Sequence, residues 1–95
     1  MKKRARIEII ADILFLIRKN RKARFTNILY KANLSVQLLN KYLDALLKDE
    51  LIAKIKNIKG RVYCLTKKGF KFIGILQELN SMVQFIEIHS DRRTV

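Results

Sequence analysis

A mainly α fold with one small β element (α+β) is what this sequence predicts, and three observations predict it. Apolar residues recur at helical spacing in three separate stretches before Lys48. The apolar period then drops to two on either side of Gly60, and from Lys67 onward neither a proline nor a strong stop interrupts a long helical pattern. At 95 residues the chain is too short for two independent cores, and its apolar fraction of 49% suffices for one, so it reads as one domain with an appended element.

In the first stretch Ile7, Ile10, Ile13, Leu14 and Ile17 fall at helical spacing. Ile9 and Leu16 widen that arc to about half the circumference, so the first helix is expected to touch two neighbours. The run from Arg18 to Arg24 has no apolar period and reads as a charged connection, with a very short strand at Arg24 and Phe25. Thr26 is placed to cap a second helix with the short face Ile28, Leu29 and Ala32. Asn33-Leu34 is a tight turn, because asparagine tolerates left-handed backbone angles. A third helix starts from a Ser35 N-cap and lines Leu38, Leu39, Tyr42, Leu43, Leu46 and Leu47 on one face. Its other face presents Val36, Gln37, Asn40, Lys41, Asp44 and Lys48. Leu51 to Ile55 and Arg61 to Leu65 then alternate around Asn57-Ile-Lys-Gly60, giving a hairpin with a basic tip. Thr66 offers the cap of a last helix of about 23 residues to His89, a rod of about 35 Å at 1.5 Å per residue. Within it Phe72, Leu76, Leu79, Val83 and Ile86 alternate spacings of four and three, the stripe of a coiled-coil seam.

Lys and Arg number 21 against 8 Asp and Glu, a net charge of +13. Arg92 and Arg93 are the only basic residues after Lys71, so the positive surface and the long helix are separate devices. Lysine unmatched by glutamate is not the ion-pair network of a heat-stable surface; it calls for a polyanion or a membrane. No apolar run approaches the ~18 residues of a membrane span. Glu8 and Asp12 break the N-terminal apolar stretch, and no small-residue cleavage site follows, which argues against a secretory signal. Cys64 stands alone, so an intrachain disulfide, a Cys-based zinc site and a CxxC pair are excluded, as suits a reducing compartment.

Three helices followed by a hairpin with a basic tip is the element order of a winged helix-turn-helix. In that geometry the third helix enters the major groove, whose width matches an α-helix, and the hairpin lies along the backbone or minor groove. Gln37 and Asn40 then pair with adenine edges, Lys41 reaches guanine or a phosphate, and the amides near Ser35 take a phosphate. Lys56, Lys59 and Arg61 serve the wing, with Lys2, Lys3, Arg4, Arg21, Lys22, Arg24 and Lys31 as further backbone contacts.

Each assignment has a plainer competitor. Polar residues on the outer face of a helix are ordinary surface, and lysine at a turn or sheet edge guards against strand pairing. Tyr30, Tyr42 and Tyr63 have rings that stack on single-stranded bases, but a helix face and a strand make core packing the better expectation for Tyr42 and Tyr63. Cys64 fits an inert buried thiol, and His89, without His or Cys companions, makes no metal site. No Gly-rich phosphate loop, Ser/His/Asp set or paired-carboxylate motif is present, so no enzyme, metal or cofactor is expected. For the last helix the competitor is packing on its own domain. Phe70, Ile73 and Ile75 are free to do that, and the stripe from Phe72 to Ile86 is left for a second copy.

Four stretches carry a resemblance to a known family: Ile7-Glu-Ile-Ile-Ala-Asp-Ile-Leu14, Ile28-Leu-Tyr-Lys-Ala-Asn-Leu-Ser35, Tyr42-Leu with Leu46-Leu, and Tyr63-Cys-Leu-Thr-Lys-Lys-Gly69. Together they span nearly the whole chain and resemble the small archaeal winged-helix DNA-binding proteins of the Sulfolobus ten-kilodalton "a" type. The resemblance implies dimers joined by an antiparallel coiled coil of the last helix, binding double-stranded DNA with little sequence preference and organising chromatin. It places DNA contact on the third helix and wing, and the dimer contact on Phe72 to Ile86. Three departures stand out: Asn27 where relatives often carry Arg, Glu50 in place of the usual Gly after the third helix, and a longer wing around Ile58.

The expectation is a winged domain over residues 1–66, a dimerisation helix over 67–91 and a tail over 92–95. The DNA contacts are Arg24, Lys31, Ser35, Gln37, Asn40, Lys41, Lys56, Lys59 and Arg61, and the dimer seam is Phe72, Leu76, Leu79, Val83 and Ile86. The corresponding function is nucleoid architecture in an archaeal cytoplasm, with no membrane partner. The alternatives are a sequence-specific regulator, a protein-interaction winged helix, and an RNA binder, since charge alone does not separate the duplexes.

Overall fold

In the computed structural model, which describes the backbone of residues 5–94 and side chains over 5–82, the first helix, α1 (Arg6–Lys19), opens with half of a capping box: the Ala5 N–H donates to Glu8 Oε1 at 2.8 Å. Strand β1 (Lys22–Arg24), α2 (Phe25–Ala32), α3 (Val36–Lys48), β2 (Ile52–Lys54), β3 (Val62–Leu65) and α4 (Lys67–Thr94) follow. The three short strands form one antiparallel sheet in the order β1-β3-β2, pairing Lys22 with Cys64 and Cys64 with Ala53. The expected hairpin is therefore present, with a third strand on its flank. That strand covers Lys22–Arg24 and not Arg24 and Phe25, because Phe25 is already the first residue of α2.

Turn chemistry accounts for most boundaries. Ser35 caps α3, its Oγ accepting from the Leu38 N–H at 3.1 Å. Asn33 closes α2 with a left-handed φ of 55°. Thr66 caps α4: its Oγ1 accepts from the Gly69 N–H at 3.0 Å and donates to the Glu50 carbonyl at 2.6 Å. Thr26, expected as the cap of α2, is instead inside that helix, whose N-cap Arg24 makes no side-chain cap bond. Pairing of Arg24 with Val62, and of the Phe25 N–H with the Arg61 carbonyl, starts the helix two residues earlier than a Thr26 cap would.

Helix α3 ends in a Schellman motif. The Glu50 N–H donates to the Leu47 carbonyl and the Leu51 N–H to the Leu46 carbonyl, both at 3.0 Å, and buried Leu46 and Leu51 supply its apolar pair. Glu50 holds the left-handed position at φ 60°, where glycine is the usual occupant.

The core gathers Ile13, Leu14 and Ile17 of α1, Ile28 of α2, Leu39 and Leu43 of α3, Ile52 and Tyr63 of the sheet, and Ile73 of α4. Among the described residues no polar or charged side chain is buried. Ile7, expected on the core face, is 48% exposed, whereas Ile9 is buried. The core stripe of α1 centres on Ile13, and Ile7 instead lines a groove of about 350 Å³ against Leu76 and Leu79 of α4.

The start of α4 is seated tightly on the hairpin. A Cβ on Gly69 would overlap the carbonyl oxygen of Leu51, so only glycine lets the helix approach this closely. Lys68 Nζ adds a 2.8 Å bond to the Asp49 carbonyl. From there the apolar residues of α4 divide differently from the expectation. Ile73 enters the core, and Phe72 packs against it half-buried. Leu76 is half-buried in the groove with α1, while Phe70 and Ile75 are exposed. The reason is that α4 crosses α1 and β3, which turns the side of Phe72 and Leu76 toward its own domain. The exposed stripe is Ile75, Leu79 and Met82, at 54%, 55% and 63%. The side chains of Val83 and Ile86 lie outside the described residues.

Candidate nucleic-acid interface

The surface with the residue types for duplex DNA is built from the outer face of α3 and the loop between β2 and β3. Ser35 sets the start of α3 by engaging the Leu38 N–H, and no acidic residue occupies the first turn, so the amide-rich end of the helix dipole is left positive. Gln37 and Lys41, one turn apart, are both exposed, with Val36 beside them and Asp44 the acidic residue further along. Asn40 is half-buried.

The loop from Ile55 to Arg61 is closed by the Ile55 N–H donating to the Val62 carbonyl at 2.8 Å. Asn57 and Gly60 take positive φ values of 65° and 87°, which bend the tip and leave Lys56 and Lys59 exposed. Ile58 is half-buried and lines a hollow with Val62, Lys22, Arg24 and Asn27. Arg24 fixes this tip, since its Nη1 donates to the Lys59 carbonyl at 2.8 Å.

The expected contact residues therefore fall into three groups. Gln37, Lys41, Lys56 and Lys59 are exposed on α3 and the wing, with Ser35 serving the α3 cap. Arg24, Asn40 and Arg61 are tied into the protein. Arg61 Nη2 donates to Asn40 Oδ1 at 2.8 Å, and Arg61 Nε donates to the Tyr63 hydroxyl at 3.1 Å. The Arg61 guanidinium also lies over the Phe25 ring at 4.0 Å, a cation–π contact. Lys31 belongs to neither group: it borders a shallow hollow with Asp12, Phe15 and Lys19, on the α1 side of the domain. Lys2, Lys3 and Arg4 lie outside the described residues.

Phe25 and Tyr63 are the residues that sequence reasoning missed. Tyr63 is buried, as core packing requires, but its hydroxyl also accepts a bond from Arg61. The signal was available in part, because Arg61 and Tyr63 stand two apart in the alternating run expected from Arg61 to Leu65 and so share a face there, although β3 itself begins at Val62. Phe25 had no such signal, since its ring meets Arg61 across 36 positions of chain. Tyr30, by contrast, is 85% exposed on α2, and nothing in the packing explains its aromatic side chain there. Cys64 is half-buried in β3, less enclosed than expected. Among the described residues no three His, Cys, Asp or Glu side chains gather as metal ligands would, and no helix is long and apolar enough to cross a membrane.

Comparison with known proteins agrees with this geometry at the level of fold. Sso10a-2, a DNA-binding protein from Sulfolobus solfataricus, superimposes with a TM-score of 0.81 at 23% identity, covering 96% of this chain and 94% of that one. A winged-helix DNA-binding protein from STIV gives 0.70 at 21% identity, over 85% and 95% of the two chains. The oxidised form of MarR from E. coli gives 0.69 at 18% identity, over 74% of this chain and 52% of MarR. A search of curated protein sequences finds no match. Residues 3–84 match the winged helix-turn-helix family, and with the helices, sheet and wing in place over that span, the chain belongs to it.

Proposed function

We propose that this protein binds double-stranded DNA with weak sequence preference and serves as a dimeric architectural protein of an archaeal nucleoid. The observation that carries the reading is the joint exposure of Gln37 and Lys41 on α3 with Lys56 and Lys59 on the wing, in a chain of net charge +13. Such a surface neutralises phosphates on either side of a groove and draws most of its affinity from released counterions. The similar Sulfolobus and STIV proteins are DNA-binding proteins, which supports the same reading here.

The dimer in this proposal forms along the exposed side of α4. Ile75, Leu79 and Met82 repeat at spacings of four and three, the spacing of a two-helix seam, and more than half of each is exposed. Two winged domains held by a common rod contact DNA at two separated places, which lets one dimer bridge duplexes or stiffen one.

The test is fluorescence anisotropy of a random-sequence duplex across a salt series. Micromolar or tighter binding that weakens steeply with salt is expected, and Lys56→Ala with Lys59→Ala should lower the log–log slope by roughly 2, at about 0.9 per phosphate contact. An unchanged slope in that double variant would take the wing off the DNA. A strong preference for one sequence in a selection experiment would replace the architectural role by a regulatory one.

A further inference from the structure

Arg61 has the charge of a phosphate contact but the surroundings of a different device. Its guanidinium is stacked on Phe25 of α2, bonded to Asn40 of α3 and bonded to Tyr63 of β3, so three elements converge on one half-buried side chain. Its backbone carbonyl also accepts from the Phe25 N–H at 2.9 Å. A planar fork of fixed donors that also stacks on an aromatic face is a property of arginine that lysine lacks.

The bond to Asn40 has a chemical consequence. Of the two ends of a carboxamide, only the oxygen can accept from a guanidinium, so the contact fixes which way the Asn40 amide points. Its oxygen is turned to Arg61, and its NH2 is the end left for an outside partner. An asparagine reads adenine by offering oxygen and NH2 together. One whose oxygen is held in this way offers a donor, and every base pair presents a purine N7 acceptor in the major groove.

We propose that Arg61 is a positioning residue that sets Asn40 as a one-sided hydrogen-bond donor on the DNA-facing helix, so that this position accepts any base pair. The proposal rests on the duplex-binding reading above and deepens it by supplying a physical cause for weak sequence preference.

The experiment compares wild type, Arg61→Lys, Arg61→Ala, Asn40→Ala and the pair Arg61→Lys with Asn40→Ala, each checked for folding by circular dichroism. Duplex affinity is measured across a salt series, and the Asn40 carboxamide signals are recorded by NMR in the free proteins. Positioning predicts that Arg61→Lys loses affinity as Arg61→Ala does, by about three- to tenfold, the scale of one lost hydrogen bond. Neither should change the salt slope, the loss should vanish in the Asn40→Ala background, and the Asn40 NH2 signals should move in Arg61→Lys. If instead Arg61→Lys binds as wild type while Arg61→Ala lowers the slope by about 0.9, Arg61 is a phosphate contact and the proposal falls. Losses that multiply in the double variant overturn it as well. Failure of the wild type to bind duplex at low salt removes the DNA reading itself. In that case the NMR result decides separately whether Arg61 orients Asn40, and unmoved signals in Arg61→Lys would show that it does not.

Discussion

Two parts of this molecule carry the same kind of apolar helical spacing and meet opposite fates. In the winged domain, Ile13, Leu14 and Ile17 of α1 and Leu39, Leu43 and Leu46 of α3 are buried, closed in by the sheet and by Ile73. Along α4 beyond Ile73, the equally regular Ile75, Leu79 and Met82 stay more than half exposed. Spacing decides which side chains share a face; whether the face is covered depends on how many neighbours the topology brings to it. In the domain the sides of α1 and α3 that carry these six residues have one, although Ile7 and Leu38 at their margins stay exposed, whereas α4 leaves the domain as a rod with a neighbour on one side only.

The junction between the two regions is where the contrast is easiest to break. Gly69→Ala drives a Cβ into the Leu51 carbonyl, and because both partners are backbone neither can yield by changing rotamer. The expected loss is about 3 kcal/mol of stability, measured by urea unfolding, with α4 displaced from the hairpin. A loss below about 0.5 kcal/mol would mean that the seat of α4 is looser than its packing indicates.

Next in size, Leu79→Lys should separate the regions functionally. It removes an apolar side chain from the exposed stripe without touching the core, so self-association should weaken by about a hundredfold in sedimentation equilibrium while the melting of the isolated domain core is retained. Unchanged association would take the proposed seam off this stripe. The smallest effect is expected at Glu50, which holds φ 60° at the end of α3. Glu50→Gly relieves that conformation and should raise stability by about 1 kcal/mol in thermal unfolding, with self-association unaltered. Destabilisation would show that the carboxylate contributes more than its backbone strain costs.

Much of the fold was legible because it rests on short-range chemistry. The Ser35 and Thr66 caps, the left-handed Asn33, the turn glycine Gly60 and the switch to period two around it all act within a few residues. Thr26 misled for the same reason: a threonine before an apolar run resembles a cap, but strand pairing at Arg24 had already fixed where α2 begins. The seam of α4 was legible as a helical stripe and illegible in its rotation. The spacing alone leaves Phe72 and Leu76 for a second copy, yet they turn toward their own domain, because the side on which α1 lies is not written in the spacing.

The candidate interface divides along the same line. Charge, helix order and hairpin placed Lys41, Lys56 and Lys59 on it from the sequence, since an excess of positive charge and a basic turn are local properties of the chain. That Arg24 braces the wing and that Arg61 joins Asn40, Tyr63 and Phe25 came only with the folded chain. Local chemistry along the chain thus sets the order of the elements, the Ser35 and Thr66 caps and the sign of the surface. Packing of the whole chain settles which basic side chains are left exposed, as at Lys56 and Lys59, and which are engaged by neighbouring elements, as at Arg24 and Arg61. The physical reason is range: capping and periodicity act over three or four residues, whereas a guanidinium finds its partners across gaps of 21 and 35 residues that only packing closes.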